Sequence, residues 1–225
     1  MASVKITHLG HSAVLVEAAG SRILIDPGNL NAQWHGLTGL DAVLVTHQHA
    51  DHLDPEATGD LLAANPRARV IVEPTVLELA GGQGASGPLP ELPGAASLAA
   101  GDSDTVGAVT ITAVGGKHAI IHADVPRIGN VGYLISAEGE PTLFHPGDSY
   151  EYIPEGVDVL AFPLYGPWAA MKEGIDFARA VGAARGFPIH DELLNEIGRN
   201  MVIGRINSMT PTELVDLRGA GPHTF

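Results

Sequence analysis

Seven consecutive residues, Thr46-His47-Gln48-His49-Ala50-Asp51-His52, place three imidazoles and one carboxylate within six positions. Imidazole nitrogens and carboxylate oxygens are ligands for zinc and other first-row divalent ions. Side chains alternate along an extended chain, so His47 and His49 point the same way. Asp51 and His52 follow where the chain begins to turn and address a second point nearby. That arrangement suits two adjacent metals better than one. The plain alternative is a polar surface loop, and four potential ligands in so short a span weigh against it.

The neighbouring residues say what positions the cluster. Ala42-Val43-Leu44-Val45 is an apolar run that reads as a buried strand. Asp54-Pro55 suits a helix start, with Asp54 as N-cap and Pro55 in the first position. The cluster therefore lies on a strand-to-helix loop, where a rigid scaffold displays chemistry. Upstream, residues 5–9, 13–17 and 22–25 read as short strands punctuated by Gly10 and Ala19-Gly20-Ser21. His11 sits in the first turn. Asp26 ends the third strand before Pro27-Gly28, where a turn aspartate is common. Trp34 and His35 follow as candidate pocket-wall residues.

Downstream, the spacing predicts a helix over 55–64, a strand over 69–72 and a short helix over 75–80. Residues 81–94 are rich in Gly and Pro and read as a long loop. A strand pair spans 105–114 about Gly107. His118 and His122 come next, and Gly115-Gly116 with the β-branched residues argues against a helical metal pair there. Strands at 131–136 and 142–144 lead into His145-Pro146-Gly147-Asp148. A strand at 157–163 precedes Tyr165 and Trp168, an aromatic pair that suits a pocket wall or ordinary packing. A helix at 173–181, closed by Gly182, precedes a buried strand at 186–189 that ends at His190. A last helix is expected over 193–206, followed by a polar tail with no legible role.

Composition bounds the function. The 225 residues are expected to form a single domain over 1–225, with 45 % apolar and 17 % charged residues, the latter low against a typical value of about 25 %. The 26 acidic residues outnumber 12 basic ones, for a formal charge of −14. Nucleic-acid binding is dominated by Lys and Arg, so no nucleic-acid partner is expected. The absence of cysteine excludes disulfides, thiolate metal sites and cysteine nucleophiles. Met1 to Lys5 lack a signal-peptide core, and no apolar stretch approaches the ~18 residues of a membrane span. The expectation is a cytoplasmic protein acting on a small molecule.

The His-x-His-x-Asp-His pattern resembles the signature of the metallo-β-lactamase-fold superfamily. The remaining parts of that family's pattern occur in order: Asp26 after an early strand, His118, Gly147-Asp148 and His190. Gly10-His11-Ser12, the compact length and Asp26-Pro27-Gly28 are similar to its L-ascorbate-6-phosphate lactonase-like branch. The resemblance implies an αββα four-layer sandwich, two mixed sheets face to face with helices outside. It implies that His47, His49 and His118 hold one metal, that Asp51, His52 and His190 hold the other, and that Asp148 bridges. Asp26 would orient the ligands from behind, with His145 in a similar place. His11, Tyr165 and Trp168 would border the pocket, and His122 would line it or donate a proton.

The implied cofactors are two divalent ions. Zinc is the default, and Mn2+ or Fe2+ is admitted because no thiolate enforces zinc. The implied reaction is attack of a hydroxide, generated between the metals and held by Asp51, on a small ester or lactone. No phosphate-binding loop is evident, so a phosphorylated substrate is not carried over. The alternatives are a phosphodiesterase, a mononuclear iron dioxygenase on the same fold, or a non-catalytic metal-binding scaffold. The complete ligand set argues against the last two.

Overall fold

A computed structural model describes residues 3–225, and Met1 and Ala2, part of the stretch read as lacking a leader, lie outside the described residues. The first half contains β1 (Lys5–His8), β2 (Val14–Ala18), β3 (Ser21–Ile25), β4 (Ala42–Val45), α1 (Thr58–Ala64), β5 (Arg69–Val72) and α2 (Pro74–Leu79). Short strands follow: β6 (Gln83–Gly84), β7 (Gly87–Pro88) and β8 (Ala96–Ser97). The second half contains β9 (Ser103–Val106), β10 (Val109–Gly115), β11 (Val131–Ser136), β12 (Leu143–His145), β13 (Val159–Pro163), α3 (Met171–Val181) and β14 (Arg185–Ile189). It closes with α4 (Glu196–Met209), β15 (Glu213–Leu214) and β16 (His223–Thr224).

The strands form two seven-stranded sheets, ordered β16-β1-β2-β3-β4-β5-β8 and β15-β14-β13-β12-β11-β10-β9. Each is mixed. β1 to β3 pair antiparallel and β3, β4, β5 and β8 parallel. In the second sheet β9 to β12 pair antiparallel and β12 to β15 parallel. Alternating residues of both sheets, among them Ile6, Val16, Ile23, Leu44, Ile111, Tyr133, Val159 and Phe187, meet in one buried core. Each such aliphatic or aromatic side chain contributes about 1.5–3 kcal/mol by leaving water. Tyr133 is the polar exception, and its hydroxyl donates to the Val45 carbonyl of the opposite sheet at 2.9 Å.

The outer faces are covered by helices, which gives the expected four layers. Leu61 of α1 packs with Leu15, Leu24 and Val43, and Val76 of α2 packs with Val45 and Val70. Ile175, Phe177 and Ala178 of α3 and Val202 and Ile206 of α4 cover Phe144, Leu160 and Phe162. Among the described residues no helix is long and apolar enough to cross a membrane.

The strand directions decide where chemistry sits. β1, β3, β4 and β5 run one way in the first sheet, and β10, β12, β13 and β14 share one direction in the second. The loops that leave their carboxyl ends carry His11, Asp26, the His47–His52 motif, His118, Asp148 and His190.

Several local expectations shift. The helix expected from Pro55 begins at Thr58, because Asp54 Oδ1 accepts from the Glu56 and Ala57 amides and holds residues 55–57 in a turn. The last helix starts at Glu196, where the Asn195 side chain caps the Gly198 amide. The 81–94 loop contains the β6–β7 hairpin, tied to the metal loop by the Ala85 amide donating to Gln48 Oε1 at 2.7 Å. The tail supplies edge strands to both sheets, β15 beside β14 and β16 beside β1. Trp34, expected as a pocket wall, is fully buried under the first sheet, with its indole donating to the Gly28 carbonyl.

Candidate metal centre

Three bends in the chain build the centre, and each carries backbone strain. His11, Asp26 and His190 have φ of 49°, 51° and 54°. This left-handed region costs non-glycine residues on the order of 1–3 kcal/mol and persists only where surroundings enforce it. Here the Asp26 amide donates to the Leu44 carbonyl, and the His190 amide donates to the His11 carbonyl at 2.9 Å. Gly28 is required for a different reason. A Cβ there would lie 1.7 Å from the Asp51 carbonyl oxygen, so only glycine lets the Pro27 turn support the metal loop.

Hydrogen bonds orient the imidazoles one by one. Asp26, fully buried, accepts from the Thr46 amide (2.8 Å), the Thr46 hydroxyl (2.7 Å) and His52 Nδ1 (2.7 Å). Because the Thr46 hydroxyl proton is spent on Asp26, His47 Nδ1 donates to Thr46 Oγ1 at 3.0 Å. His118 Nδ1 donates to the Ala119 carbonyl at 2.7 Å, and His190 Nδ1 donates to the Tyr165 carbonyl. In all four rings the proton is thereby assigned to Nδ1 and Nε2 presents a lone pair. A carboxylate or carbonyl behind an imidazole is the usual support of a metal-bound histidine.

The free nitrogens converge. His47, His49, His118 and Asp148 each offer an atom within 4.8 Å of the others, and so do His11, Asp51, His52 and His190. Asp148 joins the two groups: Oδ1 lies 3.1 Å from His52 Nε2, and Oδ2 lies 3.1 Å from His190 Nε2 and 3.4 Å from His118 Nε2. These atoms are close but not aligned as hydrogen bonds. His52 Nε2, His118 Nε2, His190 Nε2 and Asp148 Oδ1 are all buried without a hydrogen-bond partner. Such groups are costly unless something unseen satisfies them, and the donor chemistry fits divalent metal ions.

The electrostatics agree. Burial by itself would lower the His190 pKa, yet the Asp148 and Asp51 carboxylates push it up to about 9. His52, opposed by burial but beside Asp148, Asp26 and Asp51, is raised well above its ordinary value. Burial would raise Asp51, and His52, His11 and His190 outweigh it and hold it well below the usual carboxylate range. Burial brings His49 down to about 4, with His118 adding to the effect. The centre thus keeps its carboxylates charged and attracts cations, whether protons or metals.

Residues expected around the ligands separate into distinct places. Asp26 lies behind the motif as described. His145, fully buried, donates from Nε2 to the Ser12 carbonyl (3.2 Å), while Nδ1 accepts the Gly147 amide (3.3 Å), tying the two sheets together beneath the site. His11 joins the second donor group. Its Nδ1 accepts the Glu192 amide, so Nε2 carries the proton and donates to Asp51 Oδ2 at 3.1 Å. Trp168 borders the cavity and also donates Nε1–H to Asp148 Oδ2 at 3.0 Å. Tyr165 contributes through its carbonyl to His190, and the residue lines another hollow rather than the cavity over the donor groups. His122 is not brought to the centre. Its side chain is 66 % exposed beside Asp124, on the loop beyond Ala119.

Two groups have no counterpart among the residues expected from sequence. Asn130 holds the Gly147-Asp148 turn, accepting the Asp148 amide at Oδ1 (2.9 Å) and donating to the Pro146 carbonyl (3.0 Å). Asp191, fully buried beside His190, accepts from Arg199 Nε (2.8 Å) and pairs with Arg218 (3.1 Å). Arg199 in turn grips Asp216 with both terminal nitrogens. An acid directly following the last histidine is the one signal in the chain that points to this network.

A cavity of about 380 Å³ opens over both donor groups, with His49, Asp51, His118, Asp148 and His190 in its floor. A larger hollow of about 560 Å³ lies behind Trp168 and contains none of the clustered donors, so chemistry rather than size locates the site.

Fold and donor set together define a metal-site protein of the αββα sandwich class. The β-lactamase superfamily domain family matches residues 5–190. Protein Rv0786c of Mycobacterium tuberculosis is 37 % identical over 223 residues, covering 99 % of this chain and 100 % of its own. A UPF0173 metal-dependent hydrolase of Pyrococcus furiosus is 32 % identical over 171 residues, covering 73 % of this chain and 68 % of its own. The metallo-β-lactamase fold protein YhfI of Bacillus subtilis superposes with a TM-score of 0.71 at 18 % identity over the whole of both chains. The chain belongs to the β-lactamase superfamily and, within it, is a metal-dependent hydrolase of the metallo-β-lactamase fold.

Proposed function

We propose that the protein is a binuclear hydrolase of small esters or lactones, related to the lactonase-like branch. The observation that carries the two-metal reading is the pair of four-residue donor groups joined through Asp148. His47, His49 and His118 would hold one ion, Asp51, His52 and His190 the other, with Asp148 between them. Bound divalent ions would supply the positive charge that polarises a substrate oxygen and brings the pKa of a water near neutrality.

The chain's own groups have separable tasks. Asp26 and Thr46 fix the His47 and His52 rings. His11, a neutral donor because burial brings its pKa down to about 4, fixes the Asp51 carboxylate. Asp51, its side chain 25 % exposed at the cavity floor, would help hold the attacking water. Trp168 closes one side and aims Asp148. Zinc is the default ion, and Mn2+ or Fe2+ also fits because every donor is nitrogen or oxygen, with no thiolate to enforce zinc.

Charge and size support a small substrate. The formal charge of −14 opposes a polyanion, and a cavity of about 380 Å³ suits a compact molecule. The test is elemental analysis of zinc-reconstituted protein, expected to show two ions per chain, together with kcat/KM on lactones, esters, a small phosphodiester and single-stranded RNA. One ion per chain would sink the binuclear reading. Efficient metal-dependent RNA cleavage with slow turnover of every ester and lactone would overturn the substrate class.

A further inference from the structure

The walls of the cavity differ from its floor. Leu30, Ile121 and Leu193 come from three separate loops, after β3, between β10 and β11, and after β14, and converge on the same rim. They are 39 %, 37 % and 57 % exposed. An isolated exposed leucine has no meaning, but apolar side chains gathered around one opening mark a binding surface. Pro167 and Trp168 complete the wall, and its polar members, Asn29 and Ser86, are uncharged.

No lysine or arginine lines this cavity among the described residues. One guanidinium, that of Arg127, lies in an adjoining recess of about 220 Å³, where it bonds the His118 carbonyl and pairs with Glu151. That recess shares His49, Ser86, His118 and Ile121 with the cavity and continues its apolar wall through Ile120 and Val125. A negative group on the non-reacting part of a substrate would lose its hydration there, and the Arg127 guanidinium in the recess is already paired with Glu151 and bonded to the His118 carbonyl. An alkyl chain would lose only unfavourable contact with water.

We propose that the substrate is an uncharged ester or lactone bearing an aliphatic chain, with Leu30, Ile121 and Leu193 as its specificity-determining contacts. The inference rests on the hydrolase reading above and adds which part of the substrate is recognised. The chain leaves the reacting carbonyl along Ile121 toward the recess lined by Ile120 and Val125. The reacting bond stays over Asp51 and Asp148.

The test uses zinc-loaded protein and two independent readouts. The first is kcat/KM on p-nitrophenyl acetate, butyrate, hexanoate and octanoate, and on a hexanoate analogue ending in a carboxylate. It is expected to rise roughly fourfold per added methylene until the cavity is full, and to fall on the order of tenfold or more with the terminal charge. Leu30→Asn, Ile121→Asn and Leu193→Asn should each flatten the chain-length dependence. Ile197→Asn, at an exposed position on α4 outside the cavity, should leave it as it is. The second readout is calorimetric binding of octanohydroxamate against acetohydroxamate, expected to favour the longer chain. Metal-dependent hydrolysis with no chain-length dependence and equal hydroxamate affinities would overturn the inference and leave the hydrolase reading standing. Faster turnover of the carboxylate-ended substrate would also overturn it. Preference for octanohydroxamate without turnover of any ester or lactone would support the apolar pocket and remove the proposed bond type.

Discussion

Asp26 makes no contact with the cavity, yet three hydrogen bonds run from it into the metal loop. Replacing it with Asn removes the charge that holds His52 Nδ1–H and leaves a donor facing a donor. Asp26→Asn should weaken metal binding about 10–100-fold, the usual cost of losing an outer carboxylate partner. Chelator competition reads this directly, and Thr46→Ser, which keeps the hydroxyl, should retain affinity. Asp51→Asn should cost turnover at least as much, because it alters a proposed ligand that would also help hold the attacking water. Its fold should survive, since a part-exposed loop residue contributes little to the core. Unchanged kcat in an Asp51→Asn variant with normal circular dichroism would remove Asp51 from the chemistry.

The carboxyl end of β14 and the start of α4 are joined by charge rather than by apolar packing. Arg199 of α4 reaches Asp191, and Arg218 and Asp216 of the tail complete the network. Arg199→Met leaves Asp191 buried with only Arg218, and such uncompensated burial should cost about 3 kcal/mol, seen as a lower urea midpoint. His8, at the end of β1, faces the same network, with Asp191, Arg199 and Arg218 around it. Burial lowers its pKa and Asp191 only partly offsets this. The unfolded chain therefore takes up a proton near pH 6.5 that the folded chain refuses, so stability falls as pH drops below that value. In metal-free protein, His8→Gln should reduce this loss by up to about 1.4 kcal/mol per pH unit. An identical pH profile for variant and wild type would show that His8 carries its proton in the fold.

The proposed metal ligands come from both sheets. The His47–His52 motif leaves the first, and His118, Asp148 and His190 leave the second. Metal ions at this edge would tie the two halves together and relieve part of the formal charge of −14. At free zinc one hundred times the dissociation constant, binding to the folded state alone adds about 2.7 kcal/mol per site. For a domain of this size that raises Tm by roughly 5–11 °C per site. Calorimetry before and after chelation should show the drop and its recovery on adding zinc. An unchanged Tm would mean that no metal binds the folded chain.

Much of the centre is legible in the sequence because its parts are local. A β-branched or aliphatic run followed by Asp26, His47, Asp148 or His190 signals a strand and its exit loop within a few residues. His-x-His-x-Asp-His carries its ligand geometry in its own spacing. The short apolar runs at 14–16, 23–25 and 131–135, bounded by turn residues, likewise predict strands, since a strand covered on both faces reads as a continuous apolar run. Meetings between distant residues have no such local pattern and arise only when the two sheets pack. His11 donates to Asp51 and receives from Glu192, Trp168 aims Asp148, and Arg199 secures Asp191. The tail strands are unreadable because two-residue edge strands have too few positions to show a period, and they form only where β1 and β14 offer an edge. His122 and Tyr165 lie elsewhere than expected for the same physical reason: which way a loop side chain points is set by the packing of other segments, not by its neighbours in sequence.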